Sequence, residues 1–428
     1  MADLVRLPGG HLYPDPDDGP YVLSRDFVAV QRAEESLDMQ LMERVGAAES
    51  VYEDMRAELD AVKATAGLSA GAPVDAQTAL LLGGPDTDTY ESLVRVVSRM
   101  VTPVARPSAA GGAPRVVREV ELFDDASKVH TGDGAKFFSI LDTQGRPGSW
   151  PDRFIGYTSG HNSAAIWLLS APSPLGPWTW VEKVVGAPGS GARLINSALG
   201  DHCASPSVVW NEGWALLFYH GPLASNGLEQ PTFAASTTDG RAFSPVSSSA
   251  VIPTEYSNQA SPYRTSTSYA SVVWADGHLH AVWQGTTGMN ASGSTGQYAP
   301  MPVGYGTSMD GARWVKRDPV IYAAPGDQGL LAPGLIRLTD GWMVCGSQRS
   351  SDGGTTGGQI QSVGCYMGPS LDDLHRVEDI RLPGVRTQYI NGPQFITWEG
   401  RMWMVGGVTR AGATAPVISA FELDWSHA

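Results

Sequence analysis

Asp133 and Asp201 stand where short apolar strands are expected to begin, and Glu255 lies in the loop before another. A protonated carboxyl set against an ionised one is what cleavage of an acetal needs: one protonates the leaving oxygen while the other activates the attack. Around the same strand ends lie His161, His202, His220, Arg264, Trp283, Gln284, Gln328, Gln348, Arg349, Tyr389 and Asn391. Amides, imidazoles and guanidinium groups satisfy hydroxyls, and aromatic faces cover the apolar side of a ring, so the set suits a hydroxyl-rich ligand. The plainer alternative is that these side chains cap strands and fill a channel with mutual hydrogen bonds. Nothing in the pattern calls for a metal or an organic cofactor.

What must position these groups is a repeat. After residue 115 the sequence returns to one theme, an apolar strand, an acidic-Gly turn and a second apolar strand: PSVVWNEGWALLFYHG, ASVVWADGHLHAVWQG, PGLIRLTDGWMVCGSQ and GPQFITWEGRMWMVGG. The turn glycines Gly213, Gly277, Gly341 and Gly400 are separated by 64, 64 and 59 residues (277 − 213, 341 − 277, 400 − 341). A second hairpin theme, FAASTTDGRAF, VGYGTSMDGARW and VGCYMGPSLDDLHRV, falls between them. Gly and Asp tolerate the positive φ that tight hairpins require, so each period holds four strands. An earlier copy, with strands near 137–143, 153–160, 165–172 and 178–185, makes five. The last copy ends after its third strand, and RVVREVELF at 115–123 can supply the fourth and close a ring. Four-stranded sheets repeated radially are a β-propeller, and closure removes unpaired edges.

The front of the chain reads differently. A leader over 1–25 precedes a helical pattern over 26–66, in which Val45, Ala48, Tyr52, Met55, Leu59 and Val62 alternate spacings of three and four. That is a coiled-coil seam, which one helix cannot bury alone, so self-association is expected. Residues 67–115 carry a short neck helix and the linker ARPSAAGGAPR. The predicted fold class is therefore mainly β, a five-bladed propeller over 116–428 preceded by an α-helical coiled coil and a short helical neck.

Composition agrees and sets limits. The 50 glycines and 30 prolines among 428 residues suit a turn-dense β protein. The net charge of −15 argues against nucleic acid or anionic membrane as partner, since both need basic excess. Residues 1–70 hold 14 acidic and 6 basic side chains, a net of −8, so over half of the imbalance lies in the leader and seam. No apolar run approaches the roughly 20 residues of a membrane span, and the first residues lack a signal-peptide pattern. Cys345 and Cys365 flank a Gly/Ser-rich turn and could face each other across a hairpin, as a bonded pair or as buried thiols.

The repeats, with SPSVVWNEGWALLFYHG followed by AASTTDG, resemble the five-bladed propellers of glycoside hydrolases such as arabinanases and xylosidases. In that family three acids serve as base, pKa modulator and acid; Asp133 and Asp201 match the first two, and Thr265 stands where the third is expected, leaving Glu255 as substitute. The stretch TALLLGGPDTDTYESLVRVVSRMV resembles the neck of tail proteins from phages of actinobacteria. Together the resemblances imply a homotrimeric minor tail protein located in the virion. Its leader would meet other tail proteins, and its propellers would present a surface to host cell-wall polysaccharide. A virion-borne glycosidase and a purely architectural tail subunit are the alternatives.

Overall fold

The computed structural model describes residues 4–6, 12–14, 109, 112–124, 134–211, 213–258, 261–286, 302–322, 330–348, 362–382, 390–408 and 416–425. The chain divides into two units, Met1–Ser98 and Arg99–Ala428. In the first, a short antiparallel pair is described, β1 (Leu4–Arg6) with β2 (Leu12–Pro14). The seam residues Val45, Ala48, Tyr52, Met55, Leu59 and Val62, and the neck helix, lie outside the described residues.

The second unit opens with β3 (Arg115–Asp124) and then builds five sheets in turn. Blade one is β4 (Phe137–Asp142), β5 (Phe154–Ser159), β6 (Ala165–Ala171), β7 (Thr179–Gly186) and the two-residue β8 (Leu194–Ile195). Blade two runs β9 (Ala204–Asn211), β10 (Trp214–His220), β11 (Thr232–Thr237) and β12 (Ser244–Pro245). Blade three is β13 (Ser266–Ala275), β14 (His278–Thr286), β15 (Val303–Ser308) and β16 (Val315–Lys316). Blade four holds β17 (Leu330–Arg337), β18 (Trp342–Gln348), β19 (Ser362–Gly368), β20 (His375–Arg376) and β21 (Ile380–Arg381). Blade five is β22 (Ile390–Trp398), β23 (Arg401–Val408) and β24 (Val417–Asp424), completed by β3, which pairs antiparallel along β24 from Arg115↔Asp424 to Asp124↔Val417. The ring is closed by the strand that precedes it, as the truncated last repeat predicts.

Period-two alternation explains how a sheet with two buried faces is written in sequence. Along β10, Ala215, Leu217 and Tyr219 pack toward blade one, while Leu216 and Phe218 pack toward blade three. Along β23, Met402 and Met404 face blade four, and Trp403 and Val405 face blade one. Five buried clusters result, one between each neighbouring pair of blades, and the fifth joins blade five to blade one through Val405, Ile418, Phe138 and Leu169.

The turn glycines are not equivalent. Asp276–Gly277 and Glu399–Gly400 form two-residue turns with φ of +50° and +76°, and +50° and +72°. Such left-handed pairs match strand twist. Gly341 instead ends a longer turn closed by Leu338 N–H to Gly341 O at 2.8 Å, and it makes room. A Cβ there would lie 2.3 Å from Gly368 O and 2.5 Å from Cβ of Ala109. The Ala109 N–H donates to Oδ1 of the adjacent Asp340 at 2.6 Å. The chain thus enters the propeller across the turn end of blade four and continues into Arg115, also at the turn end.

Cys345 and Cys365 are direct partners across β18 and β19, and both thiols are free and fully buried, as is Cys203. Burial raises all three thiols above their ordinary range, Cys365 to about 12. A thiolate is the reactive form, so a thiol reagent is expected to label none of the three in the native protein and all three after denaturation.

Candidate functional site

The inner strands start, and the second strands end, on the face opposite the turns. Here four inner strands share a device that alternation conceals. Each carries a bulge beside a residue with left-handed backbone: Ser205 (φ +54°), Tyr269 (+55°), Ala332 (+49°) and Gly392 (+50°). For three of them the side chain ending the second strand of the preceding blade catches the backbone N–H. Ser205 N–H donates to Oγ of Ser159 at 3.0 Å, Tyr269 N–H to Nδ1 of His220 at 3.4 Å, and Ala332 N–H to Oε1 of Gln284 at 3.2 Å. His220 and Gln284 therefore hold neighbouring blades together at the mouth.

Deeper, a second tier of bonds passes from blade to blade. Oγ of Ser139 accepts from Val208 N–H at 2.9 Å, Oγ of Ser207 from Val272 N–H at 3.0 Å, and Oγ of Ser271 from Leu335 N–H at 3.0 Å. These serines are at most 1% exposed. They give the mouth a polar, satisfied floor.

Above that floor, bulge geometry turns Tyr269 toward blades one and two. Its hydroxyl hydrogen-bonds Nδ1 of His161 at 3.0 Å, with the two rings stacked at 6.1 Å. His220 lies 4.4 Å from the tyrosine ring and Phe137 5.6 Å, between ring centroids. His202 completes the group, 5.7 Å from His161 and 6.3 Å from His220. Its Nδ1 contacts Oδ1 of Asp201 at 3.1 Å, and the Asp201 side chain is 88% exposed. Since Nδ1 of His220 accepts a backbone N–H, its proton sits on Nε2, which is buried with no hydrogen-bond partner. Burial, then the neighbouring His202 and His161, push the His220 pKa well below the ordinary imidazole value. His220 is neutral wherever the protein is folded at ordinary pH.

The remaining predicted residues distribute as follows. Asn391 is buried at the mouth end of blade five, its Nδ2 without a hydrogen-bond partner among the described residues. Arg264 stands at the mouth-side entry to β13, its guanidinium 5.6 Å above the ring of Tyr256. Trp283 is fully buried in the core between blades two and three, its indole beneath Tyr263 and against Gly304, so it offers no ring face to a ligand. Glu255 is engaged away from the cluster: its carboxylate takes Nζ of Lys316, on outer strand β16, at 2.7 Å and Oγ of Ser261 at 2.5 Å. Burial works against its ionisation, but those hydrogen bonds and the Lys316 charge outweigh it and hold the carboxyl below the usual range. Asp133, Gln328, Arg349, Tyr389 and the side chain of Gln348 lie outside the described residues. Among the described residues no group of three His, Cys, Asp or Glu is placed to hold a metal ion.

Tyr269 and Phe137 were not among the predicted site residues, whereas Ser159 falls, like His161, at the mouth position that the sequence of copy one offers. One sequence signal could have found the tier beneath them: Ser207 and Ser271 recur at the same offset from turn glycines, six residues before Gly213 and Gly277.

The architecture defines the class, a five-bladed β-propeller. No protein-family profile matches the chain, and no curated protein sequence matches it. Among solved structures it is similar to a family 117 glycoside hydrolase of the marine bacterium Zobellia galactanivorans, at 13% identity and TM-score 0.50, covering 75% of this chain and 93% of that one. It is also similar to the Bacillus subtilis arabinanase, at 13% identity and TM-score 0.49 (72% and 98% covered). An endo-arabinase of Bacteroides thetaiotaomicron gives 13% and 0.48 (71% and 96%). At such identity the likeness is one of fold.

Proposed function

We propose that the chain is a phage minor tail protein whose propeller mouth binds carbohydrate of the host cell wall. The observation that carries the binding reading is Tyr269, held in an uncommon backbone conformation for a bulky residue and set among His161, His202, His220 and Phe137. Ser205, Ala332 and Gly392 share the conformation in their own blades, but only at Tyr269 does that position present a ring, and an aromatic face ringed by imidazoles meets both sides of a sugar. The glycoside hydrolase fold of the similar structures is compatible with this role. The tail reading rests on the acidic leader, the seam pattern and the neck resemblance.

The test is titration of the full-length protein with fragments of host cell-wall polysaccharide. Binding is expected, and Tyr269→Ala is expected to weaken it at least tenfold without loss of the folded state, followed by circular dichroism. Undiminished binding by that variant would move the site elsewhere, and release of reducing ends by the wild type would replace recognition with hydrolysis. Mass measurement in solution is expected to give a trimer; a monomer would remove the tail reading while leaving the mouth intact.

A further inference from the structure

We propose that the corner made by Tyr256 and Arg264, beside the mouth, is a subsite for an anionic substituent of the bound glycan, a carboxylate or a phosphate. The inference rests on the reading of the mouth as a carbohydrate site and adds the chemical class of ligand. Arg264 lies in the segment that leads into β13, immediately before Thr265, whose hydroxyl bonds Oγ1 of Thr286 at 2.5 Å and fixes the strand entry. Its guanidinium rests over the ring of Tyr256, a residue 38% exposed. Stacking on an aromatic face orients the planar fork while leaving its edge available for two-point recognition of an oxyanion.

The fork has no counter-ion among the described residues. Among the described residues Arg264 makes no ion pair, and its Nε is buried without an acceptor. A buried N–H without a partner is costly, and such an atom in a native fold calls for an explanation. Three acidic side chains in the segments of blades two and three are engaged by other groups. Glu255 is taken by Lys316 and Ser261, Asp201 by His202, and Glu229 by Asn226 and Thr254. Lys316 therefore neutralises Glu255, the neighbour of Tyr256 in the chain, and among the described residues Arg264 makes no ion pair with an acid. Tyr322, 65% exposed, is close enough to Tyr263 to act on it electrostatically, together with Glu255 and Asp318. A guanidinium stacked on a partly exposed tyrosine ring is suited to an acidic sugar.

The experiment compares four ligands on the full-length protein: a uronic-acid oligosaccharide, its carboxyl-reduced counterpart, a glycerol-phosphate polymer bearing sugars, and the same polymer after dephosphorylation. The charged member of at least one pair is expected to bind about tenfold more tightly than its neutral partner, and the pair that responds identifies the anion. Arg264→Gln is expected to abolish that difference, while Arg264→Lys keeps only part of it because a point charge lacks the fork. Equal binding of charged and neutral members, with the mouth still active, would overturn the subsite and spare the carbohydrate reading. Binding of none of the four together with failure on cell-wall fragments would remove both. If Arg264→Gln were to fold poorly, Tyr256→Leu, which removes the stacking surface, is expected to reduce the same difference; an unchanged difference there would count against the proposal.

Discussion

A Gly334→Ala protein is expected to lose about 3 kcal/mol of stability, at the upper end of what overpacking a tight core costs. Gly334 occupies, in blade four, the position that Ser207 and Ser271 hold in blades two and three. There the innermost strands of blades four and five approach so closely that an added Cβ would stand 2.0 Å from the carbonyl oxygen of Pro393 and 2.9 Å from its carbon. Both are backbone atoms, so no side-chain rotation relieves the clash, and one strand must move against the ring. Gly277→Ala is the control: its φ of +76° strains any side chain, but the added Cβ meets nothing within 4 Å. That change is expected to cost about 1 kcal/mol. Chemical denaturation of the two variants should separate them clearly; equal losses would mean that the inner strands part at that point as cheaply as an exposed turn takes up strain.

Acid should weaken the propeller through His220. The unfolded chain binds a proton there near the ordinary imidazole value of 6.5, whereas the folded pKa is well below it, first through burial and then through the two neighbouring histidines. Below pH 6.5 the unfolded state therefore holds a proton that the native state lacks. Stability is full above that pH and falls as pH drops toward the folded value, by about 1.4 kcal/mol per pH unit for one such group. His280, half buried between blades three and four and likewise lowered by burial, adds to the slope. His220→Gln is the informative variant, since Gln284 already performs the same backbone contact for Ala332 in the next blade. Unfolding free energies at pH 7.5, 6.5 and 5.5 should show a shallower acid slope in the variant with little change at pH 7.5. Parallel slopes would place the responsible proton on another group.

The ring was written plainly because three of the four repeated inner hairpins carry a turn whose φ demands Gly, and because both faces of every blade are buried. Gly213, Gly277 and Gly400 have positive φ; Gly341 keeps the same spacing for another reason, the approach of Ala109. Counting back from those glycines also placed His202 and His220 together at the mouth. Tyr269 escaped because a bulge inserts one residue into β13 and re-aims a side chain that strict alternation assigns elsewhere. Trp283 shows the converse. It sits beside Gln284 in sequence, yet period two sends the amide toward blade four and the indole into the core facing blade two. Loop residues such as Glu255 gave no such guide, since only the fold brings Lys316, 61 positions away, to the carboxylate.

Closure of the ring by β3 also orders events in time. Arg115 and Asp424 are partners across 309 positions of chain (424 − 115), the last pairing that synthesis from the N-terminus can permit. Contacts of such separation are slow to form. Until the final strand emerges, β3 waits as a bare edge open to any other nascent strand, and the four preceding blades assemble without the contact that seals them. Expression at low temperature, where off-pathway pairing is slower, should raise the yield of closed propellers over aggregates.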